Sequence, residues 1–161
     1  MANKKITDLT ELTAPADDDY SEIVDTSTGA SMKVSRANLS GWHFLTTPLI
    51  STSWDGDSFS TTAKTKIDLS SVFGAPAGIK AALFNVALRD SGSAANECLI
   101  SLSPSSGAGG LSARCSGIAN DKFVNACLIV PCDANGDVYY DIAASGTGTM
   151  DVYLQIYGYW L

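Results

Sequence analysis

The chain has 161 residues, enough for one domain and an extension, and 45% of them are apolar, as in ordinary soluble proteins. Its net charge of −7, with ten scattered basic residues, argues against nucleic-acid binding, which needs clustered Lys and Arg. No apolar run approaches the ~18 residues that cross a membrane, and no secretory signal is visible, so we expect a cytoplasmic origin and no membrane partner.

The first forty residues are polar and carry too few apolar side chains for a core of their own. Residues 4–13 have apolar residues three positions apart, which fits a helical turn or a docked arm. Residues 22–25 and 31–34 have the composition of short strands, and the turn at 27–30 predicts a small β-hairpin. The segment must therefore bind the following domain, another copy or a larger assembly. We expect that contact from Ile6, Leu9, Leu12, Ile23, Val24, Val34 and Leu39.

From Trp42 onward, strand-forming segments alternate with turns, and only residues 70–74 resemble a helical turn. The strongest strand, 79–89, is apolar on both faces, which favours the middle of a sandwich or a subunit contact. Residues 123–131 have a clean inner row, and the turn that follows predicts a hairpin with 138–142. The sequence therefore predicts an all-β protein: an antiparallel β-sandwich or jelly roll in residues 42–161, after an N-terminal arm and hairpin in residues 1–41.

The final strand, 150–161, is expected to lie centrally in a sheet or in an oligomer interface. Strict alternation places Met150, Ile156 and Trp160 on one face. The same alternation places Tyr157 and Tyr159 on the other face.

Few residues could support catalysis. The only histidine is His43, beside Trp42. The candidate carboxylates lie in or beside turns, where solvation explains them: Asp55, Asp57, Asp133, Asp137 and Asp141. A Ser-His-Asp arrangement or a pair of glycosidase carboxylates stays an alternative, but we expect no enzymatic activity and no cofactor. The cysteine spacing fits neither a CxxC pair nor a zinc site, so we expect free thiols at Cys98, Cys115, Cys127 and Cys132.

One turn has the ligand spacing of half a calcium loop. Asp133, Asn135 and Asp137 place oxygen-bearing side chains at alternate positions around Gly136. The bidentate Glu that would follow is missing. We therefore expect an ordinary hairpin turn and no metal, with calcium as the alternative.

Several aromatic side chains could line a glycan- or receptor-binding face, because aromatic rings pack against sugar rings. The alternative is that these rings fill the core or a seam between subunits, which is the commoner arrangement. The candidates for such a face are Trp54, Tyr139, Tyr153, Tyr157 and Tyr159.

Within residues 4–39, KITDLTELTAPADDD is followed by EIVDTSTGASMKVSRANL. This pattern resembles the N-terminal module of many tailed-bacteriophage virion proteins. There, a K-I-T-x-L-x-x-L-x-x-P-x-x-D-D opening precedes I-V-D-x-S, a turn, a basic residue and an x-x-N-L ending. The chain departs from the pattern at residues 31–35, where the family more often has Thr-Lys-Lys-Ile-Thr.

The resemblance covers about a quarter of the chain and implies a role in the virion. Residues 42–161 also resemble the β-domains that end such short fibre-like proteins, through the D-x-x-G-D-x-Y turn and the strand DVYLQIYGY. The resemblance implies a tail or head fibre, or a capsid decoration protein. Such a protein would be a homotrimer anchored by its arm to capsid, neck or tail proteins. The alternative is a host-attachment module of the tail that binds a receptor or a surface glycan.

Overall fold

The computed structural model describes residues 20–25, 30–35, 41–107 and 109–161. The chain divides between Ser40 and Gly41 into two units. In the first unit, β1 (Tyr20–Asp25) pairs antiparallel with β2 (Ala30–Ser35). The β-hairpin predicted from the sequence is therefore present.

Three of the predicted docking residues lie in this hairpin. Ile23 is opposite Met32, Val24 is opposite Ser31, and Val34 is opposite Ser21. The remaining predicted docking residues lie outside the described residues: Ile6, Leu9, Leu12 and Leu39.

The second unit is a sandwich of two antiparallel sheets with four strands each. Its elements are β3 (Trp42–Phe59), β4 (Thr62–Ile67), α1 (Leu69–Phe73), β5 (Ala81–Asp90), β6 (Leu99–Ser103), β7 (Leu111–Arg114), β8 (Val124–Pro131), β9 (Val138–Ala143) and β10 (Met150–Trp160). One sheet has the order β3-β10-β5-β8 and the other β4-β9-β6-β7. Within this unit, β6 and β7 are the only consecutive strands that pair with each other, and every other connection crosses between the sheets. Two four-stranded sheets in these orders form a jelly roll, which confirms the predicted fold class.

The core lies between the two sheets and follows the alternation of each strand. In β5, the side chains of Ala82, Phe84, Val86 and Leu88 are fully buried, and each large one stabilises the fold by about 1.5–3 kcal/mol. The predicted inner row of β8, from Val124 to Val130, packs against this core and is confirmed. Strand β5 lies between β10 and β8, in agreement with its two apolar faces.

The predicted helical turn is confirmed as α1. Asp68 caps its N-terminus, where its side chain accepts a hydrogen bond from the Ser71 amide at 3.0 Å. This bond lowers the pKa of Asp68. Gly74 ends the helix with φ +73°, a left-handed conformation that glycine adopts without strain. Leu69 and Phe73 are buried and form the inner side of α1.

The final strand lies centrally between β3 and β5, as predicted. The prediction that its side chains alternate strictly between the two faces is wrong. Tyr157 forms a β-bulge: Ile156 is opposite Phe84, and Gly158 is opposite the next residue, Leu83. The extra residue exchanges the two faces beyond it. Tyr159 therefore packs against the core, whereas Trp160 is 39% exposed.

The sequence Trp54-Asp55-Gly56-Asp57 has the composition of a turn and predicts one there, but that prediction is wrong, because β3 continues through these residues as one edge strand. Its pairing with β10 shifts register at several points. At one shift, Gly56 has φ +109° and lies beneath the Tyr153 ring. A glycine in a bulge takes up the change of direction that the sequence suggests for a turn.

The hairpin predicted between β8 and β9 is wrong in its pairing. The turn is present, and Gly136 has φ +90°, but β8 and β9 belong to different sheets. The turn therefore carries the chain across the sandwich.

Candidate functional site

The outer faces of the two sheets differ in chemistry. The outer face of the β4-β9-β6-β7 sheet, the polar face, carries mainly small and charged side chains. Lys64 pairs with Asp141 at 3.5 Å, and the hydroxyls of Ser101 and Ser112 lie 3.0 Å apart. These polar side chains pair with one another, and a face of this composition is suited to contact with solvent.

The outer face of the other sheet is apolar at one end. Cross-strand register places two rows of residues there: Trp42, Trp160, Ala81 and Pro131, then Phe44, Gly158, Leu83 and Ile129. Ile50 and Tyr157 flank these rows. We call these ten residues the apolar face.

Much of the apolar face is in contact with solvent. Phe44 is 74% exposed, Ile50 67%, Ile129 55% and Tyr157 40%. The rings of Trp42 and Phe44 stack at 6.1 Å, and Trp160 meets Trp42 edge-on at 5.8 Å. Exposed apolar residues that form one contiguous patch usually mark an interaction surface.

Two pairs of polar side chains lie on the rest of this outer face. Asn85 donates a hydrogen bond to Gln155 at 3.2 Å. At the far end of the sheet, Arg89 donates to Asp151 at 2.7 Å and lies over the Phe123 ring at 4.8 Å. The outer face therefore changes from apolar, where the domain begins at Gly41, to polar and charged at the opposite end.

A groove of about 340 Å³ borders the apolar face and is lined by Leu83, Phe84, Asn85, Cys127 and Tyr157. Cys127 is exposed in it. All four cysteines are free thiols, as predicted. Burial raises the pKa of Cys98 and of Cys132 to about 12 and also raises that of Cys115.

The five aromatic residues predicted as a glycan face do not form one surface. Trp54 is only 6% exposed and packs in the core between Phe59 and Tyr140, so its prediction as a ligand platform is wrong. Tyr159 packs against the core and stacks on His43 at 5.4 Å.

The remaining three candidates lie on two opposite faces. Tyr139 is opposite Lys66 on the polar face. Tyr153 and Tyr157 lie on the outer side of the other sheet. The thickness of the sandwich therefore separates Tyr139 from the other two.

The two carboxylates of the calcium candidate have protein partners. The Asp133 carboxylate accepts hydrogen bonds from the amides of Asn135 at 2.8 Å and Asp137 at 3.0 Å. The Asp137 carboxylate is nearly buried and pairs with the Lys66 ammonium at 2.5 Å, which raises the pKa of Lys66. This arrangement is a turn closed by its own side chain.

The sequence interpretation missed the buried cluster around Asp90, at the end of the domain opposite Gly41. The Asp90 carboxylate is fully buried and accepts bonds from the amides of Gly92 and Ser145 and from the hydroxyls of Ser145 and Thr149. Burial alone would raise the pKa of Asp90, but these bonds outweigh it and hold the pKa below its ordinary value. The alternation of β5 could have indicated that Asp90 is buried, because it places Asp90 on the inner face after Leu88.

Within the described ranges, no group of three or more His, Cys, Asp or Glu side chains could hold a metal ion. In that same part of the chain, no helix is long and apolar enough to cross a membrane. No protein-family model matches the chain, and no curated protein matches it significantly in sequence.

Proposed function

We propose that this protein is a structural component of a tailed-bacteriophage virion, a short fibre or a capsid decoration protein. The observation that carries the proposal is the combination, in one chain, of the phage-like segment 4–39 with a jelly-roll domain that has an exposed apolar face. Jelly rolls recur in viral capsid proteins, which makes the combination coherent.

The proposed mechanism is binding, without catalysis. Residues 1–41 attach to a capsid, neck or tail protein, and residues 42–161 project as a homotrimer. Three linked arms bind more tightly than one, because each further contact is made at a high effective concentration. The protein is made in the host cytoplasm and acts in the virion.

The alternative function, a host-receptor or carbohydrate-binding module, has less support. Its five predicted rings are divided among the core and two opposite faces, so they form no single row for one sugar chain. Glycan-array binding that a Tyr153→Ala or Tyr157→Ala substitution abolishes would favour this alternative.

The test uses phage particles grown in cells that supply tagged full-length protein or a form lacking residues 1–40. The full-length protein should co-sediment with purified particles. The truncated protein should stay in the supernatant, with a circular dichroism spectrum that shows a folded β-domain. Full-length protein missing from particles would overturn the virion role, and truncated protein on particles would overturn the anchoring role.

Point variants refine the anchoring test. Serine substitutions at Ile6, Leu9 and Leu12 should reduce co-sedimentation, because they remove the apolar side chains expected to dock. The matched control places serine at the neighbouring threonines of the same segment, Thr7, Thr10 and Thr13.

A further inference from the structure

We infer that the apolar face is the surface through which copies of this chain bind one another. The inference rests on the proposed function for its expectation of several copies in one assembly. It goes further by assigning the contact to one end of one sheet, around Phe44, Leu83, Ile129 and Trp160.

The exposed apolar area fits a contact between protein subunits. With the exposures of Phe44, Ile50, Ile129, Tyr157 and Trp160, and about 150–250 Å² per large side chain, the face offers about 500 Å² of apolar surface. A stable interface buries about 800 Å² per partner, of which somewhat more than half is apolar. This one face therefore supplies the apolar part of a standard interface.

The charges identify the partner. The chain has a net charge of −7, so copies repel each other wherever their acidic surfaces meet. The apolar face holds no ionisable group except the Tyr157 phenol, and Arg89 and Asp151, at the far end of the same sheet, neutralise each other. Another copy can therefore dock there without burying an unpaired charge, whereas a basic partner would find no acidic group among the residues of the apolar face.

The position of the face also fits a self-contact. The Leu161 amide donates a hydrogen bond to the Gly41 carbonyl at 3.2 Å, beside the Trp42–Trp160 row. Contact through this row brings the first residues of neighbouring domains together. The segments that precede Gly41 in each copy are thereby held at a high effective concentration.

The full chain carries the test. Light scattering should give a multiple of 16.8 kDa for the wild type and 16.8 kDa for the double variant Phe44→Glu, Ile129→Glu. Both positions are exposed in the single chain, so the variant should keep its fold, which circular dichroism checks. The control variant, Ala63→Glu with Ser112→Glu, adds the same charge at exposed positions of the other sheet and should keep the wild-type mass.

Alkylation of Cys127 gives a second measurement that needs no folded variant. Its thiol borders the face, so in the wild type it should react slowly at high protein concentration and faster on dilution. Peptide mapping separates it from Cys98, Cys115 and Cys132, whose raised pKa values keep them protonated and slow to react.

The outcomes separate this inference from the proposed function. A wild type of 16.8 kDa, a Glu variant that keeps the wild-type mass, or Cys127 reactivity that is independent of concentration would overturn the inference. A dimer that the Glu variant dissociates would support the face and overturn the trimer. Multimers that depend on this face, in a protein missing from phage particles, would overturn the proposed function alone.

Discussion

Replacing Asp90 by Asn should weaken the domain strongly with almost no change in shape. Each carboxylate oxygen accepts two hydrogen bonds: Gly92 donates from 2.7 Å and Thr149 from 3.0 Å, and Ser145 donates to both oxygens. In the Asn side chain, an NH₂ group replaces one of the two oxygens. This hydrogen-bond donor then faces the two donors that the oxygen had accepted from. A buried polar group without a partner costs about 1–3 kcal/mol, so we expect a loss of about 3 kcal/mol, or roughly 10 °C in Tm.

Urea unfolding, followed by the fluorescence of the buried Trp54, measures this loss. The pKa of Asp90 lies below its ordinary value of 3.8 in the folded state, so the carboxylate stabilises the fold fully above about pH 5. That stabilisation is lost as the pH falls below 3.8 toward the folded-state pKa, and the gap between wild type and Asp90→Asn should narrow there.

The control is Asp55→Asn, at an exposed position of β3, where we expect a change within about 0.5 kcal/mol. Equal stability of the two variants at pH 7 would refute the reasoning. So would a gap between wild type and Asp90→Asn that stays constant as the pH is lowered.

Two further pairs of substitutions test the packing. Gly136→Ala should lower the free energy of unfolding by roughly 3 kcal/mol, because φ is +90° and a Cβ would lie 2.8 Å from the Gly78 nitrogen. Gly117→Ala should lower it by about 1 kcal/mol, because φ is +77° but the space around the Cβ is open. Equal losses in urea unfolding would contradict this steric argument. Trp54→Ala should lower the free energy of unfolding by about 3–5 kcal/mol, because it leaves a cavity in the core. Tyr157→Ala should change it by no more than about 0.5 kcal/mol. Thermal melts of the dilute protein measure both changes. The reverse order would show that Trp54 does not support the core.

Local patterns in the sequence predicted most of the strands. Alternation identified β5, β8 and β10, and the inner row of β8 follows it from Val124 to Val130. Gly74 marked the end of α1 because glycine adopts its left-handed conformation without strain. These features depend on neighbouring residues alone, so a single chain reveals them.

The candidate surface was harder to predict. Alternation indicated that β5 is apolar on both faces, but it did not indicate which other side chains join it. Phe44, Gly158, Leu83 and Ile129 form one row although they come from four strands far apart in the chain. The bulge at Tyr157 then decides that Trp160 joins the row above them and that Tyr159 does not.

Strand alternation and turn composition were enough to establish that the protein is all-β and where most of its strands lie. The tertiary structure alone decided which strands pair, which aromatic rings are buried and what surrounds Asp90. The physical reason is that strand alternation and turn chemistry act between near neighbours, whereas jelly-roll pairing joins distant segments. A turn such as Asp133–Asp137 reverses the chain in either case, and only the packing of the whole domain decides which sheet the next strand enters.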